Sequence, residues 1–125
     1  MATSSPILIV DDDESIREFV SVALEDEGFA VSTAPDGAAA LEQVRREPPS
    51  IILLDMRMPV MDGWEFSRAY RRTPGPHAPI IVVTAARDAA DRASQIEADG
   101  FLAKPFDLED LLAVVHRHTE GDALA

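Results

Sequence analysis

The stretch Ile51-Ile52-Leu53-Leu54-Asp55 decides the fold. Four large aliphatic residues stand in a row with no polar alternation, the pattern of a strand covered on both faces, and an acidic residue closes the run. Such strands belong to parallel sheets with helices above and below. Outward from this stretch, short apolar runs recur at residues 7–10, 30–33, 80–83 and 101–103, and the segments between them have helical periodicity. Ile16, Phe19, Val20, Ala23 and Leu24 define the inward face of a first helix, with Gly28 as its stop. Asp36 caps a second, which turns Ala40, Leu41 and Val44 inward before Pro48 and Pro49 end it. Asp62 caps a third that places Phe66 and Tyr70 on one face and closes at Pro74-Gly75-Pro76. A fourth, over residues 88–96, has only the thin stripe Ala89, Ala93 and Ile96. The last sets Leu108, Leu111, Leu112 and Val115 on one side, behind a cap at Asp107.

The order is therefore (βα)₅, an α/β protein with a doubly wound, five-stranded parallel sheet, its right-handed crossovers placing helices on both faces. The strand order expected, 2-1-3-4-5, is that of flavodoxin-like folds as a class; the residues themselves leave the winding open. With 125 residues, one domain is expected over 7–119, flanked by a tail at 1–6 and a tail or linker stub at 120–125.

Composition narrows the function. Hydrophobic residues make up 46% and charged residues 27%, and no apolar run approaches the ~18 residues of a membrane span. The first residues lack the basic and apolar regions of a secretory signal, and there is no cysteine for disulfides or thiolate metal sites. A cytoplasmic location is the expectation. A net charge of −12 argues against direct binding to a nucleic-acid backbone, which requires clustered cations. Of the 11 basic residues only Lys104 is a lysine, so a chain that otherwise uses arginine has a chemical reason for one ammonium.

Four of the five strands end in a distinctive polar residue: Asp11 and Asp12 after the first, Asp55 after the third, Thr84 after the fourth and Lys104 after the fifth. Taken singly, each has an ordinary explanation. The run Asp11-Asp12-Asp13-Glu14 suits a helix N-terminus, Asp55 a turn, Thr84 a cap and Lys104 a solvated charge. Those explanations give no reason for all of them to fall at one sheet edge, where open parallel sheets bind ligands.

Three carboxylates in one cleft repel, at about 4 kcal/mol for a pair ~4 Å apart in an effective dielectric near 20. Lys104 offsets one charge and a divalent cation the rest. Mg²⁺ matches carboxylate, carbonyl and water ligands and keeps positions open for a phosphoryl oxygen, whereas a calcium cage takes more protein oxygens. An ionised Asp55 is then a nucleophile toward phosphorus that needs no general base. Metal, ammonium, the Thr84 hydroxyl and nearby backbone N–H groups neutralise the phosphoryl oxygens.

Four segments in this order closely resemble the motifs of response-regulator receiver domains: Ile7-Leu8-Ile9-Val10-Asp11-Asp12-Asp13-Glu14, Leu53-Leu54-Asp55-Met56-Arg57-Met58-Pro59-Val60-Met61-Asp62-Gly63, Ile81-Val82-Val83-Thr84-Ala85 and Phe101-Leu102-Ala103-Lys104-Pro105-Phe106. The resemblance implies a switch of two-component or phosphorelay signalling, a phosphoacceptor with self-catalysed transfer and autodephosphorylation and not a turnover enzyme. It implies that Asp55 accepts phosphate from a histidine kinase or phosphotransfer protein. Mg²⁺ is held by Asp12 directly, Asp11 mainly through water, Asp55, and the carbonyl of Arg57. Lys104, Thr84 and Ala85 contact the phosphoryl group, the Lys104-Pro105 peptide is cis, and Thr84 and Phe101 form a switch pair in which the ring turns inward as the hydroxyl moves toward phosphate. The face made by the fourth helix, fifth strand and fifth helix then binds a downstream protein or a second copy. Without the resemblance, Phe101 reads equally as a core residue.

Some positions depart from the family pattern. Glu97 stands where glycine commonly precedes Ala-Asp, so the turn before the fifth strand is expected to differ, and Arg57 and Ala86 occupy positions that vary among receivers and tune phosphate lifetime. Trp64 is expected near the acidic cleft or half-buried on the third helix. His77, His116 and His118 read as surface residues. Two alternatives accompany the receiver reading: a haloacid-dehalogenase-like phosphohydrolase, disfavoured because Arg57 replaces the second Asp of its Asp-x-Asp motif, and a metal-binding module that is never phosphorylated.

Overall fold

A computed structural model describes residues 5–85 and 87–124, with side chains as far as residue 119. Most of the 1–6 tail, Ala86 and the side chains of 120–125 lie outside the described residues. Strands and helices alternate as β1 (Ile7–Val10), α1 (Glu14–Asp26), β2 (Val31–Ala34), α2 (Gly37–Arg46), β3 (Ile51–Asp55), α3 (Gly63–Arg71), β4 (Ile80–Ala85), α4 (Ala89–Gln95), β5 (Gly100–Lys104) and α5 (Leu108–Leu124). The five strands form one parallel sheet in the order β2-β1-β3-β4-β5.

Every residue of β1 and β3 is buried, as their unalternating sequences require. Successive side chains of each strand enter opposite layers. Leu8, Val10, Ile52, Leu54, Ile80 and Val82 pack with Ala40 and Val44 of α2, Phe66 and Tyr70 of α3, and Ala93 of α4. Ile7, Ile9, Ile51, Leu53, Ile81, Val83 and Leu102 pack with Val20 and Leu24 of α1 and Leu111, Val114 and Val115 of α5.

Helix starts follow the acidic caps. Asp36 accepts from the Ala39 N–H at 2.9 Å, Asp62 and Glu65 form a reciprocal capping box, and Asp107 and Asp110 exchange the same pair of bonds. The cap of α1 is Asp13, which accepts from the N–H groups of Ser15 and Ile16. Asp11 and Asp12 are thereby left for other work. Asp88, at the head of α4, makes no side-chain cap bond, and that helix has only seven residues.

The structure differs from expectation in several places: β4 and β5 run past 80–83 and 101–103 to take in Thr84 and Lys104 themselves. β2 lies one residue later than 30–33, because the Ala30 carbonyl accepts from Ile7 N–H at the lower edge and the ladder begins at Val31. Phe19 is 48% exposed, leaning outward over Phe106 with ring centroids 6.3 Å apart. Leu108 is half-exposed, and α5 first meets the core one turn later, at Leu111. The turn before β5 keeps its left-handed residue without glycine: Glu97 takes φ 54°, and its carbonyl accepts from the Arg71 guanidinium at 3.0 Å.

Candidate functional site

Parallel register brings the C-terminal strand ends together. Val10 pairs with Leu54, Asp55 with Val83, Thr84 with Ala103 and Ala85 with Lys104. Asp11, just past the end of β1, and Asp55, at the end of β3, are buried, while Asp12 is exposed. One carboxylate oxygen from each of the three lies within 4.8 Å of the others. Lys104 Nζ donates to Asp11 Oδ2 at 3.1 Å and lies 3.9 Å from Asp55 Oδ1. The other oxygen of Asp11 accepts from the Asp13 N–H at 2.9 Å.

Burial pushes the Asp55 carboxyl up to about 6, helped by the charge of Asp11 and less by that of Asp12; Lys104 and the backbone N–H of Arg57 pull the other way. A carboxylate so placed is short of positive charge. The donor set is all hard oxygen, with one member open to solvent, and it fits Mg²⁺ with water completing the shell.

The remaining expected residues fall around this cluster. Thr84 is buried at the end of β4, and Ala85 is exposed beside Lys104. Arg57 presents its backbone to Asp55 while its side chain faces solvent. The Lys104–Pro105 peptide is cis. Phe101 stands apart: it pairs with Val82, three residues before Lys104, and is 48% exposed, so it is not a core residue here. Ala86 lies outside the described residues.

Two contacts were not anticipated. Arg17 donates to the Asp11 carbonyl at 2.7 Å, and the only sequence hint is an arginine six residues beyond the first acid. Trp64 is half-buried on α3, but its partners are on α4: the indole N–H donates to Gln95 Oε1 at 2.9 Å, and the Arg92 guanidinium lies 5.0 Å from the ring centroid.

Fold and cleft together define an α/β module built around an acidic site at the edge of a parallel sheet. The model of the response regulator receiver domain matches residues 7–116, and the chain belongs to that family. It is 42% identical over 124 residues to the response regulator MprA of Mycobacterium leprae, covering 95% of this chain and 54% of that one. It is also 42% identical to the MprA of Mycobacterium ulcerans over 109 residues, covering 86% and 47%. The chain thus spans about half the length of the curated relatives it matches. Among solved structures, the chemotaxis response regulator CheY4 of Vibrio cholerae superposes with a TM-score of 0.83 at 37% identity, covering 92% of this chain and 98% of that one. NtrX from Brucella abortus gives 0.84 at 28% identity, covering 98% of this chain but 28% of that one. Receiver domains are phosphoacceptor switches of two-component signalling and generally bind Mg²⁺ in an acidic pocket, and this chain has the acidic cluster. Family membership removes the basis for the dehalogenase-like alternative. Among the described residues, no helix is long and apolar enough to cross a membrane.

Proposed function

We propose that this chain is a phosphorylation-activated switch in which Asp55 takes a phosphoryl group from the phosphohistidine of a histidine kinase or phosphotransfer protein. The observation that carries this reading is the meeting of three carboxylates within 4.8 Å with the chain's single lysine. In the transfer, the donor's P–N bond breaks as an Asp55 oxygen bonds to phosphorus, and the imidazole leaves with a proton from solvent. Asp12, Asp55 and the Arg57 carbonyl would hold Mg²⁺, with Asp11 acting through water, and the ion would neutralise the phosphoryl oxygens. Lys104 exchanges its contact with Asp11 for a phosphoryl oxygen. The Thr84 hydroxyl and the backbone N–H of Ala85 serve the remaining oxygens. Hydrolysis of the acyl phosphate by water, on the same residues, resets the site.

The response is a population shift. As Thr84 moves toward phosphate, Phe101 turns from its exposed position into the space vacated, and the α4–β5–α5 face changes shape. That face binds a downstream protein or a second copy of the chain. The receiver comprises residues 7–119, acting as a stand-alone module or as one part of a longer cytoplasmic regulator, a choice consistent with relatives of both lengths. The test is chemical. A small phosphodonor with Mg²⁺ should add one phosphoryl group that neutral hydroxylamine releases, as it does an acyl phosphate, and chelation should prevent it. A product that resists hydroxylamine, as a hydroxyl ester does, contradicts the reading.

A further inference from the structure

The three carboxylates are not held alike. Both oxygens of Asp11 are engaged, one by the Asp13 N–H and one by Lys104. Asp55 ends a buried strand, with Arg57 N–H and Lys104 beside it. Asp12 is exposed, and among the described residues its side chain makes no hydrogen bond. Its direction therefore depends on the backbone that carries it. The peptide joining Asp11 to Asp12 offers its carbonyl to Arg17 Nη1 at 2.7 Å, a short, charge-assisted bond.

The location of this arginine needs a cause. It sits in the opening turns of α1, where the helix dipole disfavours a cation. Among the described residues it makes no ion pair with a carboxylate within 4.0 Å, although three acids lie nearby. A guanidinium seated on those carboxylates would occupy oxygens that a divalent cation requires. Seated on the carbonyl, it brings positive charge and rigidity to the acidic pair and leaves every Asp12 oxygen free.

We infer that Arg17 is a positioning residue for the divalent cation: it fixes the Asp11–Asp12 peptide so that the Asp12 carboxylate stays aimed at the oxygens of Asp11 and Asp55. The inference rests on the Mg²⁺-dependent reading above. Outer groups that orient metal ligands commonly contribute ten- to hundredfold in affinity.

Calorimetric titration of the full chain with Mg²⁺ alone tests it. Arg17→Met, which keeps the unbranched stem and removes the donor, should weaken Mg²⁺ binding by roughly tenfold or more. Arg17→Gln should shift it in the same direction. Arg17→Lys, which returns a charged donor, should recover most of the loss, and metal-free melting temperatures should stay together across the set. Unchanged Mg²⁺ affinity in Arg17→Met and Arg17→Gln overturns the inference, as does a loss that Lys does not rescue and that tracks a fall in metal-free stability. Should the unaltered chain bind no Mg²⁺, the metal reading itself fails; normal binding in both the unaltered chain and the variants removes only the role of Arg17.

Discussion

Lys104 and Asp11, 93 residues apart in sequence, are joined by a 3.1 Å charge-assisted hydrogen bond, while Asp55 waits 3.9 Å from the same ammonium. On the proposed reading, the acid on which the lysine rests is not the acceptor. Phosphoryl transfer requires it to change partners. Lys104→Ala should therefore retain Mg²⁺ binding and lose phosphorylation by about a hundredfold, the scale of one removed transition-state donor. Lys104→Arg should not restore the rate, because a planar guanidinium cannot replace a compact ammonium in a cleft built around one. Initial rates with a small phosphodonor decide this, and a Lys104→Ala rate equal to that of the unaltered chain would sink it.

Asp55 makes a second prediction through its raised pKa of about 6. A folded-state value above the unfolded 3.8 means that the folded chain binds the proton more tightly. Stability from this group is thus full below the unfolded value and is lost as pH rises from about 4 through about 6. At neutral pH without metal, Asp55→Asn should be more stable than the unaltered chain, by on the order of 1–3 kcal/mol. The gain should vanish near pH 4 and shrink when Mg²⁺ is added. Denaturant melts at the two pH values measure it, and a destabilised Asp55→Asn at neutral pH is the opposing result.

On the proposed mechanism the same ionisation governs reactivity, since only the carboxylate attacks phosphorus. At low Mg²⁺, the rate of phosphorylation should fall as pH drops through about 6. Saturating Mg²⁺ should move that midpoint downward by favouring the charged form. A midpoint indifferent to Mg²⁺ in a pH–rate series contradicts a shared site for metal and acceptor.

Among the described residues, two non-glycine positions with positive φ store strain. Glu97 has φ 54° and Val60 φ 69°, the latter 80% exposed within a tight turn closed by a 2.7 Å bond from Met61 N–H to the Pro59 carbonyl. Left-handed backbone costs an L-residue roughly 1–2 kcal/mol, part of which glycine returns through its freer unfolded state. Glu97→Gly and Val60→Gly should each raise stability by about 0.5–1 kcal/mol. Chemical denaturation checks the sign, which would be negative if either residue were relaxed in place.

Trp64, the one tryptophan of the chain, bonds Gln95 at the end of α4 and lies under Arg92. If phosphorylation shifts α4, indole fluorescence should change on adding phosphodonor with Mg²⁺, and should not change in Asp55→Asn. Gln95→Ala should shift the resting spectrum toward the phosphorylated one. A spectrum blind to phosphorylation argues that α4 stays in place.

Much of this was legible in sequence because the signals are local and strong. Ile51 to Leu54 read as a doubly covered strand, and Asp36, Asp62 and Asp107 announce their helices through short-range caps. The convergence of Asp11, Asp55, Thr84 and Lys104 on one edge followed once the strands were parallel. Strand order did not follow from the residues, since crossovers of similar length permit more than one winding. Phe19 and Leu108 fit an inward helical stripe by spacing, yet helix rotation is fixed by the sheet beneath, and both turn outward. Arg17 was missed because its partner is a carbonyl, a group every residue carries and no sequence distinguishes.

The roles proposed for Lys104, Thr84 and the divalent cation all depend on Asp55 being the phosphoacceptor. Intact-mass measurement after exposure to a small phosphodonor and Mg²⁺, made in parallel on the unaltered chain and on Asp55→Asn, tests it most directly. One added phosphoryl group is predicted on the former and none on the latter, with both folded. Equal labelling of Asp55→Asn, or a folded, Mg²⁺-bound chain that never takes the group, would contradict it.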